Sequence, residues 1–268
     1  MRRKQGIQDK FIFIYPEFGC RSGFIMSHHP IIFSPEGTAV ADRTVGELVA
    51  ERPNRSKIFQ GLKIDFCCQG GKTLREACAA KEIAVETVIE QLEAEQQTQP
   101  SDNFDPASLT PTELIGHIVA THHDYLRGEL PRLHAMAQRV AQVHGGHTSS
   151  LVEVFEVFTG LFHEMDSHMR KEEEILFPMI AALEKGEPAP IPLDAPIGRM
   201  IEEHQDAGDA LARLRVLTGD YQPPADACNT YRALFSGLEG LEGDMHRHVH
   251  LENHILFPKA VALEAAQA

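Results

Sequence analysis

A chain of 268 residues, 43% hydrophobic and 24% charged, has the material for one sizeable core or for a small domain joined to a larger one. Its 25 Lys and Arg against 39 Asp and Glu leave a formal net charge of -14, which argues against a nucleic-acid partner, and no apolar run approaches the ~20 residues that span a bilayer, which argues against membrane insertion. Five cysteines, an odd number without a regular framework, fit a reducing compartment, the cytoplasm by default, better than a secreted disulfide scaffold.

Residues 1–37 begin with Met1-Arg2-Arg3-Lys4 and carry the apolar patch Phe11-Ile12-Phe13-Ile14, which Pro16 and Glu17 cut too short for a signal peptide. They read as a poorly ordered extension. Over 38–97 the pattern predicts a small helical domain. Thr44-Val45-Gly46-Glu47 and Thr73-Leu74-Arg75-Glu76 match the capping box, in which a Thr hydroxyl and a Glu carboxylate satisfy backbone donors at a helix start. A further helix over about 84–96 carries Val85, Val88, Ile89 and Leu92 on one side. Between the capped helices, Cys67 and Cys68 are adjacent in a loop that ends in Gly70 and Gly71. Two neighbouring thiols can exchange with disulfides, bind a metal or simply fill a core, and the sequence leaves these alternatives open. Cys20, Cys78 and Cys228 stand singly and read as packing residues.

A polar stretch over 98–109, with Pro100 and Pro106, reads as a linker, and regular structure resumes with a helical bundle over 110–265. Thr110-Pro111-Thr112-Glu113 combines a capping box with proline at the first helical position, opening a helix that carries His117, His122 and His123. Pro131 is expected to kink or end that helix. Ser150-Leu151-Val152-Glu153 is expected to cap the second helix; the third begins near Pro196, and the fourth after Pro223-Pro224.

Residues 160–184 recur eighty residues later as 240–264, with twelve of twenty-five aligned positions identical, where ordinary frequencies give roughly two. Each copy carries His-x-x-x-Glu followed by Ile-Leu-Phe-Pro: His168 and Glu172, then His248 and Glu252. Residues four apart share a helix face, so each pair can reach one metal centre. Leu161, Met165 and Ile175 in the first copy, with Leu241, Met245 and Ile255 in the second, continue the same stripe and mark it as a core face. A carboxylate on such a face is costly unless paired or metal-bound. The first and third helices are related too: His123 lies eighty-one residues before His204, and Leu130, Arg132 and Leu133 match Leu211, Arg213 and Leu214. The pattern therefore predicts an all-α protein, a four-helix up-down-up-down bundle with approximate two-fold symmetry behind a small helical domain.

Folding the repeat about that axis gathers His123, His168, His204, His248, Glu172 and Glu252, with His122 a rival to His123 because spacing alone does not fix the helix phase. Each metal would take two imidazoles, both carboxylates would bridge, and positions would stay open for an oxo group, oxygen or nitric oxide. Imidazole with carboxylate suits iron or manganese. His163, His246 and His250 read as solvated, and His254 lies well around the helix from His248.

The segments around His123 and around His168 to Pro178, together with Ile64-Asp65-Phe66-Cys67-Cys68-Gln69-Gly70-Gly71, resemble the iron-sulfur cluster repair di-iron proteins: a small Cys-Cys domain followed by a hemerythrin-like domain. The resemblance covers about 38–264; Gln69 stands where the family often has Gly, and 1–37 have no counterpart. It implies a non-heme di-iron centre bound by His123, His168, His204 and His248, bridged by Glu172, Glu252 and an oxo group, with Cys67 and Cys68 as the family's paired thiols. It further implies a cytoplasmic homodimer whose clients are iron-sulfur proteins damaged by nitrosative or oxidative stress, acting as an iron donor or, as in some relatives, reducing nitric oxide. A hemerythrin-like binder of oxygen or nitric oxide is the alternative. A ferritin-like oxidase ranks last, since such sites combine Glu-x-x-His motifs with more carboxylates.

Overall fold

A computed structural model describes residues 38–97 and 105–267, and among these every regular element is a helix. The expected extension at 1–37, Cys20 included, and residues 98–104 of the expected linker lie outside the described residues.

Helix-start chemistry shapes the N-terminal part. Helices α1 (Val45–Glu51) and α3 (Leu74–Ala80) both open on a complete capping box: Thr44 Oγ1 accepts from Glu47 N at 3.2 Å while Thr44 N donates to Glu47 Oε2 at 2.9 Å, and Thr73 with Glu76 repeats these distances. The two starts are tied to each other, since Val45 N donates to Lys72 O and Leu74 N to Arg43 O, both at 2.9 Å. The intervening chain, with the cysteine pair, is thereby pinned at both ends. Helix α2 (Arg55–Gly61) has no side-chain cap and no long apolar stripe, so the sequence pattern does not single it out. Its Arg55 is buried and holds Leu48 O at 3.0 Å and Glu51 at 2.7 Å. Helix α4 (Val85–Gln97) completes this part, with Val88 and Leu92 buried.

Four long rods follow. The first is α5 (Pro111–Ile118), a π-helical turn at Val119–His123 and α6 (Asp124–His144); the second is α7 (Ser150–Lys171), a π turn at Glu172–Leu176 and α8 (Phe177–Glu184). The third is α9 (Asp194–Leu217), and the fourth is α10 (Asn229–Leu251), a π turn at Glu252–Leu256 and α11 (Phe257–Gln267). Helix α6 packs on α7 and α10, and α7 packs on α9. The Thr110 capping box forms as expected.

Several local expectations are corrected. Helix α6 runs through Pro131, whose ring is on the exposed side, where water can serve the backbone carbonyl that the missing N–H leaves open. No side chain caps α7, because Glu153 is drawn instead to Arg213 on α9, with Arg213 Nε donating to it at 2.9 Å. Ile175, placed by spacing on the core stripe, is 53% exposed: the π turn inserts a residue and rotates the face, so that Leu176 is buried in its stead. Cys78 packs in the core as expected, whereas Cys228 is exposed.

Two apolar clusters fill the bundle. One runs from Leu126 and Leu161 through Ala207 to Met245, the other from Leu114 and Ile118 through Met200 to Ile255 and Phe257. The six candidate residues fall in sequence between members of the two clusters. The N-terminal helices form a third cluster that takes in Val249 of α10. His254, on the fourth rod, keys the two parts together: a Cβ at Gly46 would stand 2.4 Å from its Nδ1, a Cβ at Gly70 would stand 2.4 Å from its Nε2, and that Nε2 donates to Cys67 O at 2.8 Å. Gly46→Ala and Gly70→Ala should each cost about 1–3 kcal/mol in chemical denaturation by overfilling this slot. Gly160→Ala, in the middle of α7 with open space around it, should instead gain about 0.5–1 kcal/mol. Equal unfolding midpoints for all three variants would contradict the keyed fit.

Candidate metal centre

The sequence puts a His on each of four rods and a Glu on two, and the fold brings all six to one level. His123, Glu172, His248 and Glu252 form one group, and His168, Glu172, His204 and Glu252 form a second; within each group the ligand atoms lie within 4.8 Å of one another. All six side chains are at most 2% exposed, so no water shell screens them.

Each carboxylate spans the two groups. Glu172 Oε2 lies 3.4 Å from His123 Nε2 and its Oε1 lies 3.3 Å from His168 Nε2. Glu252 Oε1 lies 3.1 Å from His248 Nε2 and its Oε2 lies 3.0 Å from His204 Nε2. The imidazoles face each other in pairs: His123 Nε2 to His248 Nε2, and His204 Nε2 to His168 Nε2, each at 3.1 Å. Yet among the described residues both oxygens of Glu172 and Oε2 of Glu252 receive no hydrogen bond. Two buried carboxylates and four nitrogens converge on spaces that only positive charge, as protons or metal ions, can fill at tolerable cost. The donor set fits a pair of divalent or trivalent cations.

The outer nitrogens are held from behind. His123 Nδ1 pairs with Glu173 Oε1 at 2.6 Å, His168 Nδ1 with Glu203 Oε2 at 2.9 Å, and His204 Nδ1 with Asn253 Oδ1 at 2.9 Å. An acceptor there fixes the tautomer so that Nε2 is the nitrogen turned to the cluster. Glu203 is in turn bonded by Lys171 and by Arg199 Nε, and Glu173 by Arg127. Burial opposes a charge on His168, but Glu172 and Glu203 beside it lift its pKa to about 10. The hydrogen bond from His168, with Lys171 next to it, holds the Glu203 carboxyl down at about 2. A metal ion entering this layer therefore replaces protons on the imidazoles.

Of the rivals, His122 is buried but turned elsewhere: its Nδ1 lies 3.0 Å from both oxygens of Asp244 and its ring stacks on His248. His163 is exposed as expected, whereas His246 is half-buried and His250 buried. His250 and His254 stack on each other, and the Nδ1 of His250 lies 3.3 Å from Phe66 O. These two imidazoles serve the packing against the cysteine loop. Sequence reasoning missed them because their partners, Phe66 O for His250 and Cys67 O for His254, belong to the other part of the chain. It also missed Glu173, Glu203 and Asn253, for which the two copies of the repeat give no shared identity.

In the loop, Asp65 Oδ1 accepts from Cys67 N at 2.9 Å and Cys68 N at 3.0 Å, and the two sulfurs lie 3.7 Å apart as free thiols. Burial, with Cys68 and Asp65 adjacent, pushes the Cys67 thiol well up, away from the reactive thiolate. Cys68, half-buried, donates its S–H to the backbone carbonyl of His204 at 3.3 Å. The thiol loop thus touches the chain of a candidate ligand directly.

Fold and site together define a hemerythrin-like bundle. The family model described as the hemerythrin HHE cation binding domain matches residues 114–260, and a domain described as of unknown function, DUF542, matches residues 41–96. Proteins named iron-sulfur cluster repair protein YtfE are similar over most of both chains. The one from Edwardsiella ictaluri is 41% identical over 82% of this chain and 97% of its own, that from Enterobacter sp. 39% over 84% and 100%, and that from Pectobacterium atrosepticum 38% over 83% and 98%. The chain belongs to the YtfE family of iron-sulfur cluster repair proteins. No helix among the described residues is long and apolar enough to cross a membrane.

His168→Ala and Glu252→Ala should each lower metal affinity more than about 10-fold, a loss at least equal to that from removing an outer partner. The far-UV helix signal should stay. Elemental analysis that finds both variants fully loaded after dialysis against a chelator would exclude these residues as ligands.

Proposed function

We propose that this chain is a non-heme di-iron protein that restores damaged iron-sulfur clusters, acting as an iron donor. One observation carries the reading: two buried carboxylates each span two pairs of imidazoles, a layout for two like ions side by side rather than for a single closed tetrahedral site. In this reading His123 and His248 hold one iron, His168 and His204 the other, Glu172 and Glu252 bridge them, and an oxo group completes the bridge. Bound iron would supply open coordination positions and one-electron chemistry. The name of the relatives, iron-sulfur cluster repair protein, supports assigning repair, with damaged iron-sulfur proteins as clients.

The protein residues divide the work. The outer carboxylates Glu173 and Glu203 raise the basicity of the imidazoles they hold, and Asn253 orients His204 without adding charge. The apolar clusters on either side keep bulk water from the layer. Residues 38–97 act as a thiol-bearing domain docked on the bundle domain at 110–265, and the contact of Cys68 with His204 O gives the loop a direct purchase on one iron ligand. A cytoplasmic homodimer that meets oxygen or nitric oxide at the open positions completes the reading.

Protein purified anaerobically from iron-replete cells should carry about two irons per chain, measured by elemental analysis, with Mössbauer parameters of non-heme iron; zinc, or no metal, in such a preparation would refute the centre. Cys67→Ala/Cys68→Ala should lower the rate at which the loaded protein reactivates a nitric-oxide-damaged [4Fe-4S] dehydratase while leaving iron content unchanged. Unchanged reactivation by that variant would favour the alternative, a hemerythrin-like binder whose small domain only docks.

A further inference from the structure

The two halves of the centre are not equivalent behind the ligands. By the repeat, His248 corresponds to His168, and His122 corresponds to Glu203, since His123 corresponds to His204. Glu203 accepts from His168 Nδ1, but His122 does nothing of the kind for His248. Its Nδ1 is committed to Asp244 and its ring lies over the His248 ring, with centroids 5.4 Å apart and planes within 7°. A stacked imidazole presents its π face, and its in-plane lone pair points away from the neighbour. Among the described residues, His248 Nδ1 is accordingly fully buried with no hydrogen-bond partner, alone among the outer nitrogens of the four imidazoles. Nothing fixes its tautomer, and its ligand nitrogen lacks the added basicity that a carboxylate gives His168.

The same side of the centre adjoins a way out. A cleft of about 570 Å³ between the N-terminal helices and the bundle is lined by Val49, Phe66, Thr121, His122, His250 and Leu251, among others. His122 therefore lies between this cleft and His248.

We propose that the two iron positions are unequal, and that the iron held through His123 and His248 is the exchangeable one, with His122 the positioning residue that keeps His248 unsupported and faces the cleft by which that iron leaves. The inference rests on the di-iron reading. The exchange would be a ligand substitution without change of oxidation state: the ferrous ion would part from two imidazoles, its share of two carboxylates and any bridging oxygen, which takes up protons and leaves as water, and the receiving chelator or client would supply the new ligands.

The test uses the full chain loaded with two ferrous ions under anaerobic conditions and challenged with bathophenanthroline disulfonate. Iron should leave in two phases of one ion per chain each, separated by about 10-fold or more in rate, the size of effect that outer partners exert. His122→Gln, whose carboxamide can accept from His248 Nδ1 and still donate to Asp244, should slow the fast phase and leave the slow one alone. Glu203→Ala should quicken the slow phase only. Release of both ions in one phase, or a fast phase that responds to Glu203→Ala but not to His122→Gln, overturns the proposal. Should a variant fail to keep its helix signal, iron-edge anomalous scattering from half-depleted wild-type crystals decides: the remaining ion between His168 and His204 supports the assignment, and one between His123 and His248 defeats it. A preparation holding fewer than two irons would count instead against the di-iron reading, which is thereby tested separately.

Discussion

Two carboxylates buried between apolar clusters, Glu172 and Glu252, set the terms for the rest of the bundle. Both are buried, three of their four oxygens take no hydrogen bond from the described residues, and the effective cost of burying an unpaired carboxylate is on the order of several kcal/mol. Four imidazoles answer that charge from four rods. The outer nitrogens of three of them, His123, His168 and His204, are answered in turn by Glu173, Glu203 and Asn253, and the outer glutamates by Arg127, Lys171 and Arg199 nearer the surface. Charge alternates outward from the centre, so the layer is held as a network and each partner's removal leaves another group exposed to an unfavourable field.

The π turns show how a duplicated sequence makes room for this layer. Glu172 and Glu252 each open such a turn, and His123 closes another. An extra residue in a turn rotates the helix beyond it, which lets a rod present a polar residue of the layer at one level and an apolar stripe further along on the same face of the bundle. Ile175 pays for the shift by facing solvent, while its repeat partner Ile255 stays buried because α1 and α5 pack on that turn.

The part of this arrangement that can be read from the sequence is the part that the repeat preserves. His168, Glu172, His248 and Glu252 are identical between copies at one spacing, and His123 and His204 are brought in by the weaker likeness of the lighter helices, so the convergence of all six was legible. The positions that tune them were not, because the copies differ there: Glu173 against Asn253, and His122 against Glu203. A π turn has no composition of its own in these segments, and a pattern scored on a straight helix places Ile175 inside. The capping boxes at Thr44, Thr73 and Thr110 were legible because a cap is a local hydrogen-bond pair that needs no tertiary partner. The roles of His250 and His254 were not, since the first depends on Phe66 O and the second on Gly46 and Gly70, all in the distant N-terminal part.

The last divergence between the copies ties the thiol loop to the centre. Glu252, Asn253 and His254 are consecutive: the first belongs to the central layer, the second holds His204 Nδ1, and the third fills the slot between Gly46 and Gly70 while donating to Cys67 O. In the other copy the corresponding residues are Glu172, Glu173 and Glu174, and among the described residues Glu174 is exposed. One turn of the fourth rod therefore contributes a carboxylate of the central layer, a support for His204 and a docking key at once. Cys68 closes the circuit by bonding the carbonyl of His204, the residue that Asn253 supports. Moving the loop must strain either the key at His254 or the backbone of His204, and packed interiors transmit such displacements rather than absorb them. The two parts of the chain are mechanically one at this point, and it is the copy of the repeat with His254 in place of an acidic residue that makes them so.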